Sequence, residues 1–292
     1  MKKIIGIICT ILGFLAIALL ITIGVEYYDN KNISYIPVTY KLKYKENLNV
    51  EADICNLSFV NKESDEFEVS YYTSKKLKYT FFENDDSVTI NSKYSKYWFS
   101  KNTLNTNYFD LKITGPLAKL NLNIQTGELS FEGYAIESLN VNATTFNLNI
   151  KDSQIKNLNV KCSTGDFNLS NSLVNNIDLD IKTTNIEIND VTSNNIDLNI
   201  STGKIRFVNT KASDYLIAAK TSNINFNGSI DNSFKASSTT GDILLDVKGK
   251  REDFKLSGKT TVGTISFAEQ SSGNKSIDLK TTTGNLKINF FE

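Results

Sequence analysis

Apolar and polar residues alternate in short runs from Leu120 to Leu245, and the runs recur every 19 residues. One apolar column reads Leu120, Leu139, Leu158, Ile177, Ile196, Tyr215 and Phe234, and a second runs two residues later from Leu122 to Ala236. After a short interruption a further pair of columns follows, Leu129 to Ile243 and Phe131 to Leu245. Within a unit, as in Ile196-Asp-Leu-Asn-Ile200, every second residue is apolar, the period of a strand with one buried face. Each unit therefore reads as strand, sharp turn, strand and loop. A unit this short cannot bury its apolar face alone, and a fixed period near 20 residues is the signature of stacked coils. The pattern predicts an all-β fold, a parallel β-solenoid (β-helix) with about 19 residues per coil.

The turn between the paired strands carries its own rhythm. Gly127, Gly165, Gly203 and Gly241 are 38 residues apart, and the intervening coils place Phe146, Thr184 and Ser222 there, each followed by Asn. Gly and Asn tolerate positive φ, so this corner is expected to need one such residue per coil, at either of two adjacent positions. Beside it stands a Thr column, Thr126 to Thr240, expected to be a structural ladder rather than a ligand- or ice-binding face. Past Leu245 the spacing loosens to 22 and then 21 residues between turn glycines, with Ile265/Phe267 and Leu286/Ile288 keeping the apolar pair. Nine coils in chain order make a rod of roughly 40 Å. The last one is either capped by Phe290 and Phe291 or left as an open edge.

Ahead of the repeat, strand patterns without the period cover Tyr35–Tyr44, Leu57–Val60, Phe67–Tyr72, Lys78–Phe82, Val88–Asn91 and Phe109–Thr114, with a hairpin turn at Asn84–Ser87. Gly115-Pro116 ends the last of them. A solenoid needs an atypical end unit, and residues 26–118 are placed to supply a strand-rich cap for a repeat domain of residues 119–292. Tyr94, Tyr97, Trp98 and Phe99 form an aromatic cluster here, either part of the cap's core or a surface on which a carbohydrate stacks.

Residues 1–25 differ from the rest. Ile4 to Val25 is 22 residues without a charge, preceded by Lys2 and Lys3 and followed by Glu26 and Asp29. As a helix this run spans a bilayer core of about 30 Å. The basic flank stays inside, which predicts a single-pass cell-membrane protein whose C-terminal domain is extracellular, with Tyr27 and Tyr28 at the interface. A cleaved signal peptide is the competing reading, although its apolar core would be shorter.

Composition removes several function classes. The chain of 292 residues has 32 basic and 32 acidic side chains, so nothing steers it toward nucleic acid. It has no His, which excludes His-based acid/base chemistry and the commonest zinc ligand. Of its three Cys, Cys162 sits in an inward column as an inert thiol, Cys9 lies in the apolar N-terminus, and Cys55 is undetermined. No phosphate loop, metal-ligand cluster or dinucleotide fingerprint occurs, so no cofactor and no metal is expected. Glu128, Asp166 and Asp242 follow the turn glycines at spacings near those of a glycosidase pair, but Lys204 shares their column and turn geometry explains them.

The turns Gln-Thr126-Gly-Glu, Ser-Thr164-Gly-Asp, Ser-Thr202-Gly-Lys and Thr-Thr240-Gly-Asp, together with the order of apolar segment, strand-rich region and strand pairs, resemble a bacterial family. It is the "putative adhesin", domain-of-unknown-function family of β-strand-repeat envelope proteins, and the resemblance covers about residues 35–292. The resemblance implies a β-helical, non-enzymatic, envelope-associated protein, some relatives being linked to envelope stress. The expectation is a membrane-anchored extracytoplasmic module for binding, adhesion, sensing or scaffolding, with an envelope protein or cell-wall glycan as partner. A polysaccharide-processing β-helix enzyme is the alternative.

Overall fold

The structure, a computed structural model, describes residues 34–94 and 106–292. The apolar run at 4–25 lies outside the described residues. Among those described, no helix is long and apolar enough to cross a membrane. The described residues are all-β, with two short 3-10 turns among them, Thr106–Phe109 and Arg251–Asp253.

Along the periodic region each coil hydrogen-bonds to the next in parallel. Strands β7 (Lys119–Glu132) and β8 (Ala135–Lys151) align Leu120 with Leu139 and Leu129 with Leu148, the predicted 19-residue step. β8 aligns in the same way with β9, which runs Gln154–Thr240 through the corners of four further coils with pairing hardly broken. The apolar columns point inward. Phe207, Tyr215, Phe226 and Phe234 pack ring against ring with centroids 4.9–5.8 Å apart, and each large side chain so buried contributes about 1.5–3 kcal/mol. The Tyr215 hydroxyl donates to the Ser229 carbonyl at 3.2 Å, so its one polar atom is satisfied.

The corners are built differently from the expectation. Gly127, Gly165, Gly203 and Gly241 do have positive φ, but Asn147, Asn185 and Asn223 in the alternate coils do not. What alternates is room. A Cβ on Gly165 or Gly203 would lie on the carbonyl oxygen of Phe146 or Thr184 one rung below, while Phe146, Thr184 and Ser222 turn their side chains into the core. Asn147 and Asn223 accept the backbone N–H of Asp166 and Asp242, each at 3.0 Å, one rung on. The left-handed residues sit at a second corner, unremarked in the sequence: Gly133, Asp152, Asn171, Asp190 and Asn209, at φ of 47–74° and again 19 apart. Asn and Asp are the non-glycine residues that tolerate this region. At three of them the next residue, Ser153, Ser172 or Thr210, is buried and its hydroxyl bonds back to the carbonyl two residues before it.

At both ends the order of rungs in space departs from the order in sequence. Strand β2 (Asn47–Val60) stacks in parallel on β7, Leu48 on Leu120 and Leu57 on Leu129, so the solenoid reaches back into the region expected to be its cap. Its other edge is covered by a rung in two pieces, β5 (Ser87–Tyr94) and β6 (Asp110–Thr114). Three antiparallel strands finish this end: β3 (Glu66–Thr73) on β6, β1 (Ile36–Lys43) on β3, and β4 (Leu77–Glu83) on β5 through the predicted turn at Asn84–Ser87.

The far end repeats the arrangement. β13 (Lys275–Thr283) and β14 (Leu286–Phe291) stack directly on β9 and on β10 (Ile243–Lys248). The coil between them in sequence, β11 (Phe254–Val262) and β12 (Ile265–Ser266), is displaced to the outside. The final coil of the chain is thus an inner rung, and neither alternative expected for it holds. Phe290 packs on Phe254 at 5.4 Å, and the 267–274 segment crosses the outer rung with paired backbone bonds between Gln270 and Leu256.

Candidate functional site

The three turn carboxylates do not converge. In the post-turn outer row Glu128, Asp166 and Asp242 alternate with Asn147, Asn185 and Asn223, so any two carboxylates have an amide or Lys204 between them. Asn185 donates to Asp166 at 3.3 Å, and Asp242 accepts the Asn285 N–H at 2.7 Å. Asp166 and Asp242 are rungs of a polar ladder. Among the described residues no group of three or more His, Cys, Asp or Glu is placed to hold a metal ion. Cys55 and Cys162 are buried, and burial pushes both thiols up, Cys55 far above its ordinary range with Asp110's charge adding. Neither is a nucleophile.

Of the aromatic cluster, Tyr97, Trp98 and Phe99 lie outside the described residues. Tyr94 ends β5 and meets Phe109 edge-on at 5.2 Å. Close by are rings the sequence reading did not gather: Tyr35 stacks on Tyr108 at 4.0 Å, and Tyr72 meets Tyr108 edge-on at 5.5 Å. Burial raises the Tyr35 phenol, with Tyr94 and Tyr108 beside it. Next to them is an open groove of about 410 Å³, with Pro37, Tyr71 and Tyr72 on the antiparallel side and Asn56, Asp110 and Glu128 on the rung side. Antiparallel pairing of β1, β3 and β6 assembles it from segments far apart in sequence, which is why no local motif announced it.

A second surface lies on the pre-turn face. Asn49, Asn121, Asn140 and Asn159 stand in one row across four rungs, each donating to its predecessor at 2.9, 2.8 and 2.7 Å, and Asn49 donates to Thr89 at 3.2 Å. Two residues along each strand is a parallel row, Glu51, Asn123, Asn142 and Lys161. The two rows and the strand between them line a trough of about 390 Å³. Beyond these rungs the inner column changes to Asp178, Asp197, Leu216 and Lys235, and the outer one to Asp180, Asn199, Ala218 and Ser237. There Asp197's carboxyl is raised by burial and by the neighbouring Asp178.

The sequence profile of the Toastrack DUF4097 family matches residues 45–289. This chain belongs to that family. The Toastrack span opens just before β2 and closes within β14, so it takes in the parallel rungs and leaves β1 outside. The chain is also similar to solved structures. One is described as a "putative adhesin" from Bacteroides fragilis, with 14% identity over 88% of this chain and 97% of that one, at a TM-score of 0.36. A "putative cell adhesion protein" from Clostridium sporogenes has 11% identity over 88% and 100%, at 0.22. A "putative lipid binding protein" from Parabacteroides distasonis has 15% identity over 87% and 97%, at 0.46. No curated protein matches the chain.

Proposed function

We propose that this Toastrack protein is a membrane-anchored, extracytoplasmic binding module that performs no chemistry of its own. The observation that carries this reading is the organisation of its outer faces. The polar side chains form hydrogen-bonded ladders along the rungs; Asp166 and Asp242 of the post-turn row are spent in such a ladder, and Glu128 and Asp110, which line the end groove, are separated by the rung of Asn56. Ladders present the same group again and again, which suits many weak polar contacts with an extended partner such as an envelope protein or a cell-wall glycan. The apolar run Ile4–Val25 behind Lys2 and Lys3 supports the anchor and the outward orientation. The adhesin-like descriptions of similar structures agree with a surface role.

Protease added to intact cells after wall removal tests the orientation, and residues 34–292 are expected to be digested. In the same cells, a variant with Glu128, Asp166 and Asp242 all replaced by Asn is expected to support the same tolerance to wall-active agents as the unaltered protein. Protection of the domain, or lost tolerance in a triple variant that still folds, contradicts the reading.

A further inference from the structure

Two features of the amide-walled trough on the pre-turn face bear on what it can hold. The first is charge. Its walls are carboxamides across four rungs, with Glu51 at one end and Lys161 at the other, so its lining carries no net charge. The second is repeat. Asn49, Asn121 and Asn140 each spend one N–H and one lone pair along the ladder, and Asn159 at its end spends one N–H. An amide has two of each, so at least one donor and one acceptor remain on every rung. These recur at the rung spacing of about 4.8 Å along the solenoid axis.

We propose that this trough binds a linear, uncharged, β-1,4-linked polysaccharide lying along the solenoid axis. Such a chain is extended, its hydroxyls and amides both donate and accept, and each sugar advances it by about one rung spacing. Successive sugars are turned over by the linkage, so every second sugar presents the same face to the amides, and the amides on each rung, able both to donate and to accept, serve either face. A charged polymer gains nothing here, and an α-linked chain coils out of step with the rungs. The four rungs span about 14 Å, room for about three to four sugars. The outer row, Asn123 and Asn142, supplies the opposite wall, and its own bond is long at 3.3 Å, so these amides are the freer of the two sets. The proposal rests on the extracytoplasmic reading only in that the polymer has to be met outside the cell.

The test uses the full-length chain in detergent with β-1,4-linked N-acetylglucosamine oligomers of two to six sugars, read by calorimetry. Affinity is expected to rise at least tenfold from the dimer to the tetramer and then level off, and maltohexaose is expected not to bind. The double variant N123D/N142D is expected to bind the hexamer at least tenfold more weakly, and Asn142→Gln, which keeps the amide but intrudes on the trough, is expected to lose affinity as well. Ser237→Asp, in the same column four rungs beyond Lys161, is expected to bind normally. If N123D/N142D fails to fold, Asn142→Gln alone decides. Affinity independent of length or linkage, or unchanged in the trough variants, overturns the proposal; so does a loss of affinity seen only on replacing Tyr72, which assigns the sugar to the end groove. The protease experiment is independent. A protected domain that binds the oligomer defeats the envelope reading and leaves the trough standing, and an exposed domain that does not bind defeats the trough alone.

Discussion

The middle of the solenoid and its two ends are built from the same strands, yet they obey different rules of neighbourhood. In the middle, a residue's partner is 19 positions away and every inward column stays inward. At the ends the partner of Leu48 is Leu120 and that of Ile243 is Leu286, so the outermost rung in space is not the outermost in sequence. The difference shows what closes a stack of this kind. A rung with both edges paired is satisfied in any order, whereas an outermost rung must have a covered edge. The chain leaves that place to its least regular coils: β5 and β6 beneath an antiparallel hairpin, and β11 and β12 beneath the 267–274 segment.

The largest expected effect separates two residues of one column. Ile205 is fully buried in a middle rung, and Ile265, its counterpart in the displaced rung, is 40% exposed. Ile205→Asp buries an unpaired charge and is expected to cost about 4 kcal/mol or more. Ile265→Asp is expected to cost under about 1 kcal/mol in the same urea titration followed by circular dichroism. Equal losses break the distinction between middle and end.

The two kinds of glycine corner come next. Gly203→Asn forces a Cβ against the Thr184 carbonyl and is expected to cost about 3 kcal/mol. Gly133 has φ +74° and nothing near its Cβ direction, and its column is otherwise Asp or Asn. Gly133→Asn is therefore expected to change stability by less than about 0.5 kcal/mol.

Smaller effects sharpen the contrast between the two halves of the pre-turn face. Asn140→Ala removes two ladder bonds and is expected to cost about 1 kcal/mol, since the partners remain open to water. Asp197→Asn is expected to raise Tm by about 1–2 °C at neutral pH, because two like charges face each other across adjacent rungs. Burial and Asp178 raise Asp197's folded pKa above its unfolded value, so the native state holds that proton more tightly. Its contribution to stability is present below the unfolded pKa and is lost as pH rises through the folded one. The gain from the substitution is therefore largest above that window and disappears in acid.

Sequence alone made the middle legible because a fixed step lets one coil vouch for the next. It failed where the step broke. Leu48, Val50, Leu57 and Phe59 fit the same template as Leu120, Leu122, Leu129 and Phe131, but 72 residues is not a whole number of coils, and the inserted strands hid the match. The left-handed corner at Asp152, Asn171, Asp190 and Asn209 recurs at the right spacing, but Asp and Asn also fill the exposed strand positions here and so mark it less sharply than a glycine does. The outward Asn residues were readable as polar rows, but the trough joins Asn49 to Asn121 across that same break. The tyrosine groove depends on antiparallel pairings that no periodicity encodes.

The displaced rung is tested most directly by disulfide trapping from a single anchor. Leu244 lies opposite Lys287, and Lys287 opposite Ser266, in parallel register on the outer face. Cysteines at 244 and 287 are one rung apart, within disulfide reach, whereas 244 and 266 are two rungs apart at roughly 10 Å, beyond it. Under mild oxidation of the folded protein, the 244/287 pair is expected to close quantitatively and the 244/266 pair to stay reduced. Closure of 244/266 with 287 left free would restore simple chain order and contradict the account.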